Sequence, residues 1–455
     1  MTGPSANTSA IKSYFSPLDT RIAVVGCGYI GTVIAAVLAE RGFVVTGIDR
    51  DPSVRHSINT GVCAISEPGL DKLVERNAAR GRLQASDDFS RIADCAVVLI
   101  TVDTPLSPSG EADLSRLGAA VESCAPFVSD DHLVIIKSTV PPNTTAEFVA
   151  PVLRRNATPL IAFSPERLAE GQALSDFTSI PIVAGGIDDD STKAAGQFWR
   201  AALGLDIIEV RDSCAAELVK LADNLWIDLN IALANDLAKL SDKLDTDVLE
   251  VIRAANTLSK GGRHVNILEP SMGVGGSCLT KDPWFVDAMA KRLGVEMRTP
   301  KTSRGINDSM PDYAVDLINE LLLSNGRVAA NCRVAVLGLA FKSNTGDCRF
   351  TPTKPAIAAL AETGYSVVLH DPLVSAADAA MVSDLPLEPD LETAITGADC
   401  IAFFTGHDAF RRLPMARIAE LANPGALIFD GRIQYGRDQI EEIKLLGLRY
   451  KGIGR

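Results

Sequence analysis

Histidine is scarce in this chain: five occur in 455 residues, and none falls in a metal-ligand spacing. No metal is therefore expected. The nine cysteines include no Cys-x-x-Cys pair, which excludes the usual dithiol redox and zinc-ribbon frameworks and reads as reduced thiols in a cytoplasmic protein. No apolar run reaches the length of about 20 residues that a membrane helix needs. The first twenty residues, "MTGPSANTSAIKSYFSPLDT", lack the apolar stretch of a signal peptide and read as a loose tail, 1–20. Positive charge is also in deficit. Lys and Arg number 44 against 57 Asp and Glu, a net charge of -13. That argues against nucleic acid or an anionic membrane surface as the main partner, while leaving room for a local basic pocket. What remains is an average soluble composition, 47% hydrophobic and 22% charged, long enough for roughly three domains.

From Arg21 onward, short β-branched runs alternate with helical segments. "RIAVVG", "VVTGID", "CAVVLITV", "HLVIIKSTV" and "PLIAFSP" are strands. "IGTVIAAVLAERG" between the first two is an amphipathic helix ending at Gly42. Such alternation predicts a parallel, doubly wound sheet. The pattern changes near Ser213, where 32 residues run to Leu244 with helical periodicity and no Gly or Pro. A second helical segment, "RGINDSMPDYAVDLINELLLSNG", has Pro311 either in its first turn or marking its true start. From Arg333 the alternation resumes with "RVAVLGLAF", "SVVLHDP", "CIAFFT" and "ALIFDGR". The expected plan is α/β: two Rossmann-like doubly wound parallel sheet domains, 21–212 and 327–455, joined by a long-helix central region, 213–326. The helices form a spine and a natural dimer surface.

The chemistry starts at "VVGCGYIG", where Gly26, Gly28 and Gly31 have the G-x-G-x-x-G spacing. The motif follows a strand and opens a helix, and Asp49 ends the next strand, which is the full dinucleotide-binding context. Gly26 serves the tight turn, Gly28 the approach of a pyrophosphate to the helix N-terminus, and Gly31 close helix–strand packing. A carboxylate at Asp49 would bind ribose hydroxyls and repel a 2′-phosphate, favouring NAD over NADP, a preference that Arg50 beside it weakens a little.

A second stretch, "GVGGSCLTKDPWF", holds Cys278. A cysteine is commonly a small packed residue. Here Gly275 and Gly276 could bring it close to a ligand, and a helix starting at the cysteine would put Lys281 and Asp282 within one turn. A thiol at a helix N-terminus near a cation is a better nucleophile. Such a thiol lets a nicotinamide enzyme carry an aldehyde on to an acid. Lys220 and Asn224 in "KLADN" share a helical face, although a lone lysine there is more often solvated. Glu166 in "FSPERLAEG" and Ser138 and Thr139 in "KSTVPP" follow strand ends, where open sheets place their sites, and each is otherwise an ordinary turn residue.

In sum, "GCGYIG", "TVDTP", "KSTVPP", "SPERLAEG", "KLADN", "GVGGSCLTKDP", "GLAFKSNTGDCR", "DGR" and "YKGIGR" resemble, in order, the UDP-glucose/GDP-mannose dehydrogenase family over almost the whole chain from Arg21. The resemblance implies a nucleotide-sugar 6-dehydrogenase that takes a C6 alcohol to a carboxylate in two hydride transfers, with two NAD consumed and a covalent cysteine intermediate. It implies Cys278 as nucleophile, Lys220 and Asn224 as oxyanion and positioning residues, Asp282 beside a water, Glu166 as the base for hydrolysis and Thr139 near the nicotinamide. Cofactor contacts are implied at Gly26, Gly28, Tyr29, Ile30, Gly31, Asp49, Thr104, Ser138, Thr139 and, with Asp347 beside it, Arg349. Substrate contacts are implied at Glu166, Arg167, Leu168, Glu170, Lys220, Asn224, Gly275, Phe341, Lys342 and Arg432, with the cations answering the substrate's anionic pyrophosphate. Asn235-Asp236 departs from the family's frequent Asn-Glu. A loop arginine that reaches a neighbouring subunit's substrate is matched to Arg263, with His264 at the ungapped position.

Motifs divide over the sugar. "GGSC" with Lys281-Asp282 resembles the UDP-glucose branch, whereas "SPER", "HVNIL" and "DPWF" resemble the branch acting on UDP-N-acetylmannosamine or UDP-N-acetylglucosamine. UDP-glucose, or a dTDP-glucose analogue, is placed narrowly first, giving a uronic acid. The N-acetylhexosamines come second and GDP-mannose third. Two other classes stand against this reading: a two-electron hydroxyacid-type dehydrogenase and a non-catalytic nucleotide-sugar binder. The expected partners are the substrate and a second copy of the chain, as a homodimer or higher homo-oligomer.

Overall fold

The computed structural model describes residues 15–17, 19–324 and 328–455. Most of the expected tail at 1–20, and the expected boundary at 326/327, lie outside those residues. The chain forms two compact units, Met1–Asp223 and Asn224–Arg455.

The first unit is built on eight strands: β1 (Arg21–Val25), β2 (Val44–Ile48), β3 (Leu83–Ser86), β4 (Val97–Ile100), β5 (Leu133–Ile136), β6 (Leu160–Phe163), β7 (Ile182–Gly186) and β8 (Ile207–Glu209). Their order is β3-β2-β1-β4-β5-β6-β7-β8. The first six are parallel in the doubly wound dinucleotide-binding order, whose switch point lies between β1 and β4. The strands are near-continuous apolar runs because helices cover both faces. Ile22 and Val24 pack on one side with Phe43, Phe198 and Trp199. Ala23 and Val25 pack on the other with Val121 and Val149.

Two expectations are corrected here. The sheet is not wholly parallel, since β7 runs antiparallel to β6. The intervening segment carries one five-residue helix, Ala173–Phe177, only about 7.5 Å long, and turns back at the same sheet edge instead of crossing the face. Nor is helix α1 (Tyr29–Glu40) amphipathic. Every residue from Gly31 to Ala39 is buried, as befits a helix apolar on all sides.

In the second unit, β9 (Ser259–Lys260) and β10 (Arg263–His264) form a small antiparallel hairpin. Strands β11 (Arg333–Leu337), β12 (Ser366–His370), β13 (Cys400–Phe403), β14 (Leu427–Asp430) and β15 (Arg449–Gly452) form a parallel sheet in the order β12-β11-β13-β14-β15. This is the second common doubly wound order, with its switch point between β11 and β13.

The central segment follows its periodicity. Helix α2 spans Ser213–Leu244, 32 residues, or about 48 Å. The later segment splits into helices Thr299–Asp308 and Met310–Leu323, with Pro311 in the second one's first turn. The later part of the spine packs on the second sheet. Its Met310, Ala314 and Ile318 share one core with Val334 and Val336 of β11, and α2 passes from one unit into the other at Asp223/Asn224.

Candidate active site

In the first unit, the turn from β1 into α1 is a prepared anion site. Gly26 holds φ +90°, and a Cβ on Gly31 would lie 1.9 Å from the Gly26 carbonyl oxygen. The two glycines are thus required for turn and packing, as the motif implies. Gly28 caps the helix with no side-chain hydrogen bond, and a Cβ placed on it would meet nothing within 4 Å. Open space above uncapped helix N–H groups suits a pyrophosphate. Asp49 is already oriented: its Oδ2 accepts from Cys27 N at 2.6 Å and its Oδ1 from Asp51 N at 2.9 Å. Cys27 itself is a buried packing thiol. The residues present therefore fit NAD.

Past the ends of β4 and β5, the buried Thr104 hydroxyl donates to the Thr139 carbonyl at 2.5 Å, and Ser138 is buried beside it. Tyr29, the first residue of α1, donates its phenol to Glu67. Burial and that bond push the phenol well above its ordinary value and keep it protonated. Ile30 packs half-buried against the core on the α1 side of the sheet.

Beyond β6, Glu166 is buried, with 8% exposure. One carboxylate oxygen pairs with Lys220 Nζ at 3.3 Å, and the other accepts from Leu168 N. Lys220 is not the solvated lysine of an ordinary helix face; it is 5% exposed. Arg167 turns aside, donating to the Pro181 carbonyl and lying 3.9 Å from Asp223. Glu170 is half-buried on the same loop.

Beneath this loop lies Lys137. It is 3% exposed, with its ammonium donating to the carbonyls of Ser164 and Pro165 at 3.2 and 3.4 Å. It also sits 4.8 Å from the centre of the Trp199 ring. Burial pulls its pKa down to about 7, against the attraction of Glu166 and with repulsion from Lys220 and Arg167. Such a perturbed group beside a candidate base marks a functional neighbourhood. Sequence reasoning passed over it, since only Ser138 and Thr139 were singled out in "KSTVPP".

In the second unit, Cys278 is the exposed one of the nine cysteines; Cys63 and Cys214 are half-buried and the other six buried. This removes the packed-thiol reading. The helix does not start at the cysteine, however. Helix α3 spans Asp282–Arg292 with Lys281 as its cap residue, and the amides of Lys281 and Asp282 donate to the Cys278 carbonyl at 3.1 and 2.8 Å.

The glycines before it leave room for a neighbour. A Cβ on Gly275 would fall 2.5 Å from Phe341 Cβ, and one on Gly276, at φ +87°, would fall 2.7 Å from the Phe341 ring. The Gly276 amide donates to the Arg349 carbonyl at 3.1 Å. Arg349 thus supports the cysteine loop through its backbone, while its guanidinium pairs with Asp347. Asp282 is fully buried, and both its oxygens are engaged, by Asn224 Nδ2 at 2.5 Å and Lys281 Nζ at 2.6 Å. It is a carboxylate held in place by two donors.

Arg432 spends three N–H groups on backbone, donating to the carbonyls of Phe404, Gly273 and Phe341 at 2.7, 3.4 and 3.1 Å. It braces the loop bearing Phe341 and Lys342. That loop is further shaped by Asp371, which accepts from Leu339 N at 2.7 Å and pairs with His407 at 3.1 Å. Neither Asp371 nor His407 was singled out from the sequence. Asn235 retains a packing role, bonding Asn307 at 2.9 Å. Arg263 and His264 lie exposed on the β9–β10 hairpin, whose two-residue turn is Gly261-Gly262, both at positive φ. The Gly-Gly pair is a hairpin signal that was available in the sequence.

Among the described residues no group of His, Cys, Asp and Glu could hold a metal, and no helix is long and apolar enough to cross a membrane.

A doubly wound sheet with an uncapped glycine turn and an aspartate ending the next strand, followed by a second such sheet and an accessible cysteine, defines a nicotinamide-dependent oxidoreductase. The chain belongs to the UDP-glucose/GDP-mannose dehydrogenase family: the family's NAD-binding domain matches residues 20–202, its central domain 214–309 and its UDP-binding domain 335–437. It is an NAD-dependent nucleotide-sugar dehydrogenase acting on CH–OH. A UDP-N-acetyl-D-mannosamine dehydrogenase of Pyrococcus horikoshii is 32% identical over 440 residues, covering 96% of this chain and 99% of that one. A solved structure of UDP-D-ManNAc dehydrogenase from the same organism superposes with a TM-score of 0.85, at 32% identity over 96% and 99% of the two chains. UDP-glucose 6-dehydrogenase AglM of Haloferax volcanii is 34% identical, covering 86% of this chain and 92% of that one. A UDP-glucose dehydrogenase structure from Pyrobaculum islandicum has a TM-score of 0.84 at 31% identity, covering 96% and 98%.

Proposed function

We propose that this chain is a four-electron 6-dehydrogenase of a UDP-linked N-acetylhexosamine, with UDP-N-acetylmannosamine as the first substrate to test. The observation that carries the four-electron reading is Cys278: an exposed thiol on a loop braced by Phe341, Arg349 and Arg432. NAD, when bound, supplies the hydride acceptor. The C6 alcohol loses a proton and a hydride to become an aldehyde. The Cys278 sulfur adds to the aldehyde carbon, forming a thiohemiacetal, which loses a second proton and hydride to become a thioester. Water then releases the carboxylate and the free thiol. Lys220 stabilises the oxyanion, Asn224 and Asp282 orient substrate and water, and Glu166 takes the water's proton. Thr139 and Thr104 line the nicotinamide side. Segment 21–212 holds the cofactor and 327–455 the substrate nucleotide through Phe341 and Lys342.

For the sugar, "SPER", "HVNIL" and "DPWF" and the Pyrococcus horikoshii relative support the N-acetylhexosamine, reversing the order expected from "GGSC". UDP-glucose is the second reading, supported by "GGSC" and by the Haloferax volcanii relative; GDP-mannose is third. The test is NADH release on a panel of UDP-N-acetylmannosamine, UDP-N-acetylglucosamine, UDP-glucose, dTDP-glucose and GDP-mannose. The expected result is two NADH per UDP-N-acetylmannosamine and no second turnover in Cys278→Ser. One NADH per sugar, or a fully active Cys278→Ala, would return the chain to the two-electron class. Faster oxidation of UDP-glucose would promote the second reading. Binding without NADH would make it a nucleotide-sugar binder.

We also infer a homodimer. Trp226, Leu233 and Leu240 recur every seven residues along α2 and are 48, 48 and 56% exposed, an apolar seam suited to the same helix of a second copy. In that assembly Arg263 serves a neighbouring subunit's substrate. Nine unbridged cysteines support a reducing, cytoplasmic setting.

A further inference from the structure

Glu67 has no role in the chemistry above, yet it is 6% exposed and carries a carboxylate into the first unit. It lies in "SEPGL", between the helices Pro52–Thr60 and Leu70–Ala79. A buried carboxylate must be matched by donors, and three converge on this one. Tyr29 gives its phenol and Gly171 its amide, at 2.7 Å, to one oxygen. Ala173 gives its amide, at 2.8 Å, to the other. The Gly171 amide also lies 3.3 Å from the Tyr29 oxygen.

Those donors come from two places with different duties. Tyr29 opens α1 and follows directly on Gly28, where the pyrophosphate would sit. Gly171, at φ +80°, closes the loop that begins with Glu166, and Ala173 begins the next short helix. The loop has its own internal ties, Leu168 N to Glu166 and Ala169 N to Asp176 at 2.8 Å. Through this short, tied loop a displacement at Gly171 would reach Glu166.

We propose that Glu67 is a positioning residue that ties the cofactor turn to the substrate loop, so that ordering either one orders the other. The inference rests on the reading of 166–170 as a substrate loop. Its consequence is cooperative binding: nucleotide sugar tightens the hold on cofactor and the reverse, by the same factor. A carboxylate that merely stabilised the fold would leave that factor unchanged.

The experiment measures the NADH dissociation constant by fluorescence, with and without saturating UDP-N-acetylmannosamine and, separately, UDP-glucose. It uses the full chain and the variants Tyr29→Phe and Glu67→Gln. Tyr29→Phe removes one hydroxyl and guards against a Glu67 variant that fails to fold. In the unaltered protein the sugar nucleotide should tighten NADH by about five-fold or more. In both variants the factor should fall below about two-fold, while thermal melting of Tyr29→Phe stays cooperative. A factor of one in the unaltered protein, or an unchanged factor in Tyr29→Phe, overturns the inference. The proposed function fails differently, by absence of NADH formation from every sugar nucleotide.

Discussion

Lys137 is the residue whose environment departs most from what its neighbours in sequence suggest. An ammonium held at about 7 by burial, instead of its ordinary 10.5, binds its proton less readily in the folded chain than in the unfolded one. Between those two values the unfolded chain carries more protons, so this group's contribution to stability rises with pH across that window and is flat below it. Lys137→Met should abolish the slope: the gap in urea midpoint between about pH 7.5 and about pH 9.5 should shrink relative to the unaltered protein. An unchanged gap would place the lysine's titration elsewhere. The residue was hidden in the sequence for a physical reason. Its aliphatic stem continues the apolar run of β5, and only the fold reveals that Trp199 and the carbonyls of Ser164 and Pro165 receive its head group.

At the scale of elements, the glycine loop before Cys278 is a packing device. The Cβ of an alanine at position 275 would meet Phe341 Cβ, the Phe350 carbonyl oxygen at 2.8 Å and Pro352 Cδ at 2.8 Å, none of them the free end of a flexible chain. Gly275→Ala should therefore cost about 1–3 kcal/mol and displace the loop. The rate of Cys278 alkylation by a thiol reagent should change several-fold, with activity falling alongside it. Unaltered alkylation and stability would show that the loop absorbs the methyl group. Much of this region was legible beforehand. The dinucleotide turn announced itself because strand, glycines and aspartate are local, and Cys278 because its motif is dense. The glycines' partner was not legible, since Phe341 is 66 residues away in the chain and close approach is a tertiary fact. Strand β7 was not among those named from the sequence, and its antiparallel direction depends on whether a connection crosses the sheet, for which apolar runs carry no arrow.

For the molecule as a whole, helices of the central segment share an apolar core with β11 inside one of the two compact units. Hydrophobic patterning located the long helix Ser213–Leu244 without saying which sheet it would share a core with. The seam of Trp226, Leu233 and Leu240 faces outward along α2. Leu233→Lys with Leu240→Lys should convert a dimer into a monomer in sedimentation equilibrium while the helical circular dichroism persists. An unchanged mass would move the interface to another surface. In a chain of net charge -13, an anionic ligand would have to be met by local cations such as Lys342. Association with an anionic sugar nucleotide should weaken with added salt through those cations, not through the overall field.

The hydrogen bonds around Asp49 carry a consequence for altering coenzyme choice. Its carboxylate closes the turn by accepting from the amides of Cys27 and Asp51, and on the proposed reading it would also face the ribose. Exchanging it for a small neutral residue, the obvious route to a phosphorylated ribose, would remove the repulsion and strand the Cys27 amide at the same time. Redesign toward NADP would therefore have to supply a replacement acceptor for that amide along with a cation for the phosphate.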